Sequence, residues 1–221
     1  MRYRNIIFDF DGTLVDSRTD IAGAQLWVLN QLGVTHYKLE DLFPYIGKPL
    51  HVTFTHLLPP EMEPRITEAA AMYREYYLPR ALHNTKLFPG VRETLEELGE
   101  QGIRMAVAST KKEMQLRRVA EHLNINEYFV QLQGSDDIPY KPDPFIVRKI
   151  ISDQKWSPEA TLMVGDTDSD VLAGQGAAIA TCAVTYGSLT EEQLRTYSPT
   201  YIIRSFPELK AIINDAAHES C

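Results

Sequence analysis

The chain has 221 residues, of which 44% are apolar and 24% are charged. Both fractions are close to the average for globular proteins, so a sizeable core can form and an unfolded chain is excluded. The 22 basic and 30 acidic residues give a formal net charge of −8. This charge argues against nucleic acid or an anionic membrane as the main partner. An anionic ligand would need a cation and locally placed basic groups.

The cysteines and the N-terminus indicate the compartment. The two cysteines, Cys182 and Cys221, do not make a disulfide framework, and no C-x-x-C metal-binding spacing occurs. A reducing compartment is the simplest interpretation. The first residues enter an apolar strand pattern without the features of a signal peptide, and no apolar run is long enough to span a bilayer. We therefore expect a cytoplasmic protein without a membrane partner, either a monomer or a homodimer.

The first predicted elements are a short buried strand and a helical block. The strand covers residues 5–10. Ser17 is a candidate helix N-cap, with Asp20 three residues later in place of the usual Glu of a capping box. Apolar positions at helical spacing follow and end at Gly33, and residues 61–82 again have helical composition. About seventy residues after the first strand are thus predicted to be almost wholly helical.

From Pro89-Gly90 onward, helix and strand patterns alternate. The predicted strands cover 103–108, 128–132, 161–164, 178–185 and 200–203. The predicted helices cover 91–101, 111–123, 143–153 and 168–175, and a last helix follows at the C-terminus. This alternation predicts a parallel sheet with helices on both faces. The helical block is therefore interpreted as an insertion between the first strand and the rest of an α/β core.

Acidic residues lie at the carboxyl ends of two predicted strands. Asp9 and Asp11 are two residues apart, so they point the same way, and Gly12 allows a sharp turn after them. Asp166 ends another strand and is followed by Asp170. Doubly wound sheets bind ligands at the carboxyl ends of their strands, so we expect these carboxylates to meet.

Crowded carboxylates repel one another, and a hard divalent cation would relieve the repulsion. Mg²⁺ prefers oxygen ligands and is therefore the predicted cofactor. Asp9 and Asp166 are the expected direct side-chain ligands. Asp11 is expected to contribute its backbone carbonyl. Asp170 is expected to bind directly or through water, although it can equally serve to cap a helix N-terminus.

Other strand ends and loops supply the remaining groups that phosphoryl transfer needs. Ser109 and Thr110 offer hydroxyl and backbone N–H donors to phosphate oxygens, and Lys141 offers a point charge. Gly12 completes the predicted phosphate-binding group. A carboxylate can form a phospho-aspartyl intermediate, which makes Asp9 the candidate nucleophile. Asp11 is the candidate acid that protonates the leaving oxygen and later deprotonates water, a role typically worth ~10²–10⁴-fold.

These positions resemble the motifs of the haloacid dehalogenase superfamily. The run Asp-Phe-Asp-Gly-Thr-Leu-Val-Asp-Ser at 9–17 is similar to its first motif. Ser109 matches the second motif, Lys141 in Lys-Pro-Asp-Pro the third, and Gly165-Asp166-x-x-x-Asp170 the fourth. The resemblance covers nearly the whole chain. It implies Mg²⁺, Asp9 as nucleophile and Asp11 as general acid/base, and this second aspartate argues against a dehalogenase or a phosphonatase.

The resemblance also implies a fold and a domain arrangement. The predicted class is α/β, with a Rossmann-like parallel sheet core and a small all-helical cap domain inserted after the first strand. We place the core in 1–15 and 88–221, and the cap in 16–87. Gly47 and Lys48 form a candidate specificity loop in the cap, although Lys48 is equally typical of a surface lysine. The histidines and tyrosines of the cap, including Tyr77, are predicted to be packing or surface residues.

The predicted function is a Mg²⁺-dependent phosphatase of the phosphoglycolate phosphatase type. Its partner would be a small phosphorylated metabolite, such as a phosphoglycolate-like compound or a sugar phosphate. The same motifs suit an inorganic pyrophosphatase, a nucleotidase or a β-phosphoglucomutase-like mutase. Two alternatives belong to other classes: a phospho-aspartate signalling module and an inert relative that binds phosphate compounds. The helical insertion argues against the first, and the complete set of catalytic positions argues against the second.

Overall fold

The computed structural model describes residues 2–214. Its strands are β1 (Asn5–Phe8), β2 (Val15–Asp16), β3 (Lys86–Leu87), β4 (Arg104–Ala108), β5 (Phe129–Gln133), β6 (Thr161–Gly165), β7 (Ala180–Val184) and β8 (Tyr201–Ile203). Its α-helices are α1 (Arg18–Gln31), α2 (Leu50–Leu57), α3 (Ile66–Tyr77), α4 (Val91–Glu100), α5 (Glu113–His122), α6 (Phe145–Gln154), α7 (Asp168–Gly176), α8 (Glu191–Arg195) and α9 (Leu209–Asn214). Short 3₁₀ segments include Leu39–Tyr45 and Pro60–Arg65.

Six of the strands form one parallel sheet. Their order is β5-β4-β1-β6-β7-β8, and each neighbouring pair is parallel. Phe8, the last residue of β1, is in register with Val107 of β4 and with Val164 of β6. The carboxyl ends of these three strands therefore lie side by side. The predicted α/β class with a Rossmann-like parallel sheet is confirmed.

Helices cover both faces of the sheet. Side chains alternate along β1, so Ile6 and Phe8 join a core cluster that includes residues of α4, α5 and α9. Ile7 points to the opposite face and joins a cluster with residues of α6 and α7. All four residues of β1 are buried, as expected for a central strand covered on both faces. The first strand of the chain is thus fixed at the centre of the core.

The helices between β2 and β3 have a core of their own. Their buried side chains, between Ile21 and Ala81, form a cluster separate from the two that flank the sheet. Trp27 of α1 stacks on Tyr76 of α3 with ring centroids 4.2 Å apart. This separate core supports the idea of a helical cap. The division at 15/16 and 87/88 stays a prediction.

The two segments that connect this helical region to the sheet are tied together. β2 and β3 pair in antiparallel fashion, with Val15 opposite Leu87, and the sequence pattern did not predict either strand. Asp20 accepts hydrogen bonds from the N–H and Nδ2 of Asn84 at 2.9 and 2.8 Å. It also accepts from the N–H and Oγ1 of Thr85 at 3.0 and 2.8 Å. One carboxylate therefore joins the start of the helical region to its end.

The predicted capping box at the start of α1 is wrong. Ser17 occupies the N-cap position but makes no side-chain capping bond. Its hydroxyl donates to Asp11 instead, and Asp20 is engaged with Asn84 and Thr85. Both side chains bind partners outside the helix, which a local capping pattern cannot reveal.

Other predicted elements differ mainly at their ends. The first strand ends at Phe8 rather than at residue 10, because the chain turns at the acidic pair. The predicted helix over 61–82 is divided, since Pro64 lies in a 3₁₀ segment and α3 begins only at Ile66. Gly33, with φ of 83°, follows the end of α1 as predicted. The short helix α8 was not predicted.

The cysteine and membrane predictions can be compared with the described residues. Cys182 is buried in β7 and has no disulfide partner within residues 2–214, while Cys221 lies outside the described residues. Over the same part of the chain, no helix combines the length and the apolar character needed to cross a membrane.

Replacing Asp20 with alanine tests the tie between the connecting segments. Asp20→Ala leaves the donors of Asn84 and Thr85 without their acceptor, so the free energy of unfolding should fall by about 1–3 kcal/mol. Urea denaturation measures this loss. Glu75→Ala, which removes an exposed carboxylate from α3, is the control and should change stability by no more than about 0.5 kcal/mol. Equal effects of the two substitutions would contradict the role of Asp20.

Candidate active site

Three buried carboxylates meet at the carboxyl edge of the sheet. Asp9 follows β1, Asp166 follows β6, and Asp170 lies in the first turn of α7. An oxygen from each lies within 4.8 Å of the others. Their exposed fractions are only 7%, 0% and 1%, so solvent screens the repulsion between the three charges poorly. The sequence prediction that these residues converge agrees with this geometry.

Lys141 lies between two of these carboxylates. Its Nζ is 2.5 Å from Asp9 Oδ1 and 2.6 Å from Asp170 Oδ1, and it donates to the Ala108 carbonyl at 2.8 Å. Burial alone would lower the pKa of Lys141, but Asp170 and Asp9 outweigh burial and raise that pKa above its usual range. Lys141 is therefore a protonated, fixed positive charge at the end of β4 and β1.

Two of these carboxylates, Asp9 and Asp166, have raised pKa values. Burial raises the pKa of Asp9 well above its usual value, and Asp170 and Asp166 add to the effect while Lys141 opposes it. Burial, aided by Asp170, raises the pKa of Asp166 to about 6. Lys141 contacts Asp9 and Asp170, and its single positive charge does not balance three ionised carboxylates. A divalent cation would supply the missing positive charge.

The donor set fits Mg²⁺. Asp9, Asp166 and Asp170 offer only oxygen atoms, which hard cations prefer. Thr13 Oγ1 and the N–H of Ser188 donate to Asp166 at 3.2 and 2.7 Å and fix its orientation. These three aspartates are thus the residues that would hold the ion. The predicted contribution of the Asp11 backbone carbonyl stays a prediction.

Asp170 caps a helix and also lies in the carboxylate cluster. Its Oδ2 accepts from the N–H and Oγ1 of Thr167 at 3.0 and 2.6 Å, which completes a capping box at the start of α7. Its Oδ1 faces Lys141. Helix capping therefore positions the carboxylate for the cluster instead of competing with that role.

Gly12 makes the close approach of two loops possible. Its φ of +94° lies in a region that residues with a side chain rarely adopt, and a Cβ built there would collide with the carboxylate of Asp166. Glycine is therefore required at this turn. Its predicted contact with phosphate stays a prediction.

Asp11 lies apart from the three-carboxylate cluster. Its Oδ1 accepts from Ser17 Oγ at 2.6 Å, and its Oδ2 is 2.9 Å from Lys111 Nζ. Lys111 also donates to Tyr77 Oη at 3.1 Å. Two aspartates separated by one residue thus have different surroundings.

Sequence reasoning missed Lys111 and Tyr77. Burial alone would lower the pKa of Lys111, but Asp11 and Tyr77 raise it above its usual range, so this lysine is protonated. The available signal was its position directly after Ser109 and Thr110 at the end of β4. Tyr77 was predicted to be packing or surface, and that prediction is incomplete because its hydroxyl contacts Lys111. A contact between α3 and this loop leaves no local pattern in the sequence.

Ser109 and Thr110 lie at the end of β4, next to the cluster. Ser109 is buried, and its N–H donates to the Gln133 carbonyl at 3.0 Å. Because the N–H of Ser109 already donates within the sheet, it is not available to a phosphate. The hydroxyl of Ser109 stays the predicted phosphate donor. The carbonyl of Thr110 accepts from Ser135 Oγ at 2.6 Å, which orders the loop.

A cavity of about 370 Å³ lies next to Asp11, between the helical region and the sheet edge. Gly47 and Lys48 both line it, as the predicted specificity loop requires. Lys48 is exposed, and its Nζ lies 5.7 Å from the ring centroid of Tyr45. The cavity therefore connects the candidate catalytic groups with side chains of the helical region.

The fold and the site together define the class of this protein: an α/β protein whose parallel sheet carries buried carboxylates and a lysine at its carboxyl edge. Residues 6–184 match the family of haloacid dehalogenase-like hydrolases. The match covers most of the chain, so the chain belongs to this family. The predicted resemblance is confirmed.

Individual relatives agree with this assignment. The chain is similar to pyrophosphatase PpaX of Bacillus mycoides, with 30% identity over 97% of this chain and 98% of the relative. The structure of a haloacid dehalogenase-like hydrolase from Streptococcus pneumoniae is 29% identical, with a TM-score of 0.87 over 96% of this chain and 98% of that chain. A protein from Haemophilus somnus named a predicted phosphoglycolate phosphatase is 24% identical, with a TM-score of 0.81 over 96% and 98% of the two chains. The last likeness shows the fold alone.

Thermal unfolding tests the metal site without measuring activity. Mg²⁺ at about 100-fold above its dissociation constant should raise the Tm of the wild type by about 5 °C or more. Asp166→Asn should lose most of this rise, because it removes one charged ligand from the cluster. Asp137→Asn, in an exposed loop where φ is 54°, should keep the full rise. A full rise in Asp166→Asn would contradict the assigned site.

Proposed function

We propose that the chain is a Mg²⁺-dependent phosphatase that hydrolyses a small phosphomonoester through a phospho-aspartyl intermediate on Asp9. Asp11 acts as the general acid and base. The observation that carries this proposal is the different environment of the two aspartates. Asp9 lies in the buried cluster against Lys141, whereas Asp11 is held by Ser17 and Lys111 beside the cavity. Asp9 lies among the carboxylates that would hold Mg²⁺ and a phosphoryl group, and Asp11 lines the cavity in which a leaving group would sit.

The first half-reaction forms the acyl phosphate. A carboxylate oxygen of Asp9 attacks phosphorus, an O–P bond forms, and the bond from phosphorus to the ester oxygen breaks. Asp11 donates its proton to the departing oxygen, so the leaving group departs as an alcohol. Lys141 and the hydroxyl of Ser109 stabilise charge on the phosphoryl oxygens. Bound Mg²⁺ would neutralise negative charge on the phosphate and the carboxylates.

The second half-reaction restores the enzyme. Asp11, now ionised, removes a proton from water as the water oxygen attacks phosphorus. The bond between phosphorus and the Asp9 oxygen breaks, and inorganic phosphate is released. Ser17 and Lys111 hold Asp11 by both oxygens, so the same carboxyl is in place for both proton transfers.

The similarity to known proteins supports a phosphatase and favours one further candidate function, an inorganic pyrophosphatase. The curated relatives named pyrophosphatase PpaX match nearly the full chain, which supports inorganic pyrophosphate as an alternative substrate. The Haemophilus somnus protein shares the fold of this chain, and this likeness does not distinguish between substrates. Both reactions use the same nucleophile and acid. The partner is a small phosphorylated compound in either case, and the cytoplasmic location stays a prediction.

Asp9→Asn tests the covalent mechanism. The substitution removes the nucleophile, so phosphate release with Mg²⁺ should fall by more than about 1,000-fold while the far-UV circular dichroism spectrum stays that of the wild type. The assay uses a panel of phosphomonoesters together with pyrophosphate. Asp137→Asn, the same change in an exposed loop, should retain wild-type activity. Substantial turnover by Asp9→Asn would exclude Asp9 as the nucleophile.

Asp11→Asn tests the acid/base role through the leaving group. For an alkyl phosphate, kcat should fall by roughly 10²–10⁴-fold, because the alkoxide departs without a proton. For p-nitrophenyl phosphate, whose leaving group is a weak base, formation of the intermediate should be affected much less. Burst kinetics separate this step from the hydrolysis that follows. An equal loss of burst rate for both substrates would exclude Asp11 as the acid.

A further inference from the structure

The cavity next to Asp11 is strongly basic, although the chain as a whole is acidic. Four basic side chains line it, and Asp11 is the single carboxylate among the described residues of its wall; the basic residues are Lys48, Arg74, Lys111 and Lys112. The net charge of the whole chain is −8. A local excess of positive charge in such a chain indicates an anionic ligand.

Two of these basic groups are available to a ligand. Within residues 2–214, Lys111 is paired with Asp11, and Lys112 lies 4.0 Å from Asp136. Lys48 and Arg74 take part in none of the ion pairs of this part of the chain, and both are exposed. Arg74 offers a planar set of donors that matches a carboxylate or a phosphate. An anionic group of a ligand can therefore bind here without displacing an existing ion pair.

Gln25 adds a second, independent sign of a ligand. This residue of α1 lines the cavity and is only 1% exposed. Its side-chain Oε1 is buried and has no hydrogen-bond partner within the described chain. An unpaired buried acceptor is destabilising, and functional sites are where such groups persist. The missing partner is a hydroxyl or N–H donor.

The size and the remaining walls of the cavity indicate an organic ligand. Its volume of about 370 Å³ lies in the range of about 300–1,000 Å³ that is typical of sites for organic molecules. Ile21, Ile66, Ala70 and Tyr73 contribute apolar surface to its wall. The second phosphate of pyrophosphate has no carbon atoms to contact these side chains. A carbon skeleton would fill the space and cover them.

We propose that the leaving group of the substrate is an organic molecule with a second anionic group, bound by Arg74, and with a hydroxyl or N–H that donates to Gln25. The anionic group is a carboxylate or a second phosphate. This inference rests on the proposed phosphatase function, because the cavity adjoins Asp11, the candidate acid. Arg74 and Gln25 are thus specificity-determining residues that recognise the part of the substrate that departs.

Matched substrate pairs test the charge requirement in the wild type. 3-Phosphoglycerate and glycerol 3-phosphate differ at a carboxylate, and fructose 1,6-bisphosphate and fructose 6-phosphate differ at a phosphate. We expect the more anionic member of at least one pair to have a kcat/KM at least about 10-fold higher than its partner and higher than that of pyrophosphate. The pair that responds identifies the kind of anion. Equal values within both pairs, or pyrophosphate as the best substrate, would overturn the inference and leave the phosphatase function standing.

No hydrolysis of any compound by folded wild-type protein with Mg²⁺ would overturn the proposed phosphatase function, and the inference that rests on it. Hydrolysis without discrimination overturns the inference alone. The two failures are therefore distinguishable in one experiment.

Arg74→Gln tests the anion contact. Loss of a charge-assisted hydrogen bond should raise KM for the member that carries a second anionic group by about 10–100-fold, and leave KM for the member that lacks it within about twofold. Arg80→Gln is the matched control. Arg80 is exposed, lies over the ring of Tyr76 at 4.0 Å and is not part of the cavity wall, so both KM values should be unchanged. Equal increases for the two members in Arg74→Gln would overturn the assignment.

Gln25→Met separates a ligand contact from a structural role. Methionine has a similar length but no oxygen, so it removes the unpaired acceptor. We expect a higher Tm than that of the wild type together with a kcat/KM at least about fivefold lower for the preferred substrate. An unchanged kcat/KM, whatever the Tm, would show that the glutamine only packs and would overturn the assignment of Gln25.

Discussion

The ion pairs between one buried lysine and two buried aspartates are the constraint on which this molecule depends. Lys141 contacts Asp9 and Asp170 at 2.5 and 2.6 Å, and all three side chains are buried. Removing charges from water costs several kcal/mol for each ion, and good geometry must offset that cost. The parallel sheet supplies the geometry, because β1, β4 and β6 end side by side. The fold thus keeps charges together that would separate in solution.

In the proposed reaction, the core and the helical region have different roles. The sheet edge holds the groups proposed to act on phosphorus, and the helices line the cavity proposed to hold the rest of the substrate. Lys111 belongs to both sets, since it pairs with Asp11 and contacts Tyr77 of α3. The position of the candidate acid is therefore linked directly to the position of the helices. A change in either one alters the environment of the other.

Most of the fold could be predicted from the sequence, because burial and strand ends leave local patterns. The apolar run of β1 followed by an acidic pair predicted both a buried strand and a site at its end. Asp20 was misassigned because its partners, Asn84 and Thr85, lie 64 and 65 positions away. Lys111 and Tyr77, which are 34 positions apart, were missed for the same reason. Two-residue strands such as β2 and β3 are too short to show a period, so only pairing reveals them.

The chain order of the sheet has a consequence for synthesis and refolding. The central strand β1 is made first, but its neighbours β4 and β6 come only after the whole helical region. Lys141 is 132 positions from Asp9, so its contact closes a very long loop. Contacts of this kind carry a high entropic cost and form slowly, whereas the helical region has its own core and lies within a shorter stretch of the chain. The helices can therefore acquire structure while the strand before them still lacks both of its partners. A growing chain therefore has no complete carboxylate cluster until residue 170 has emerged.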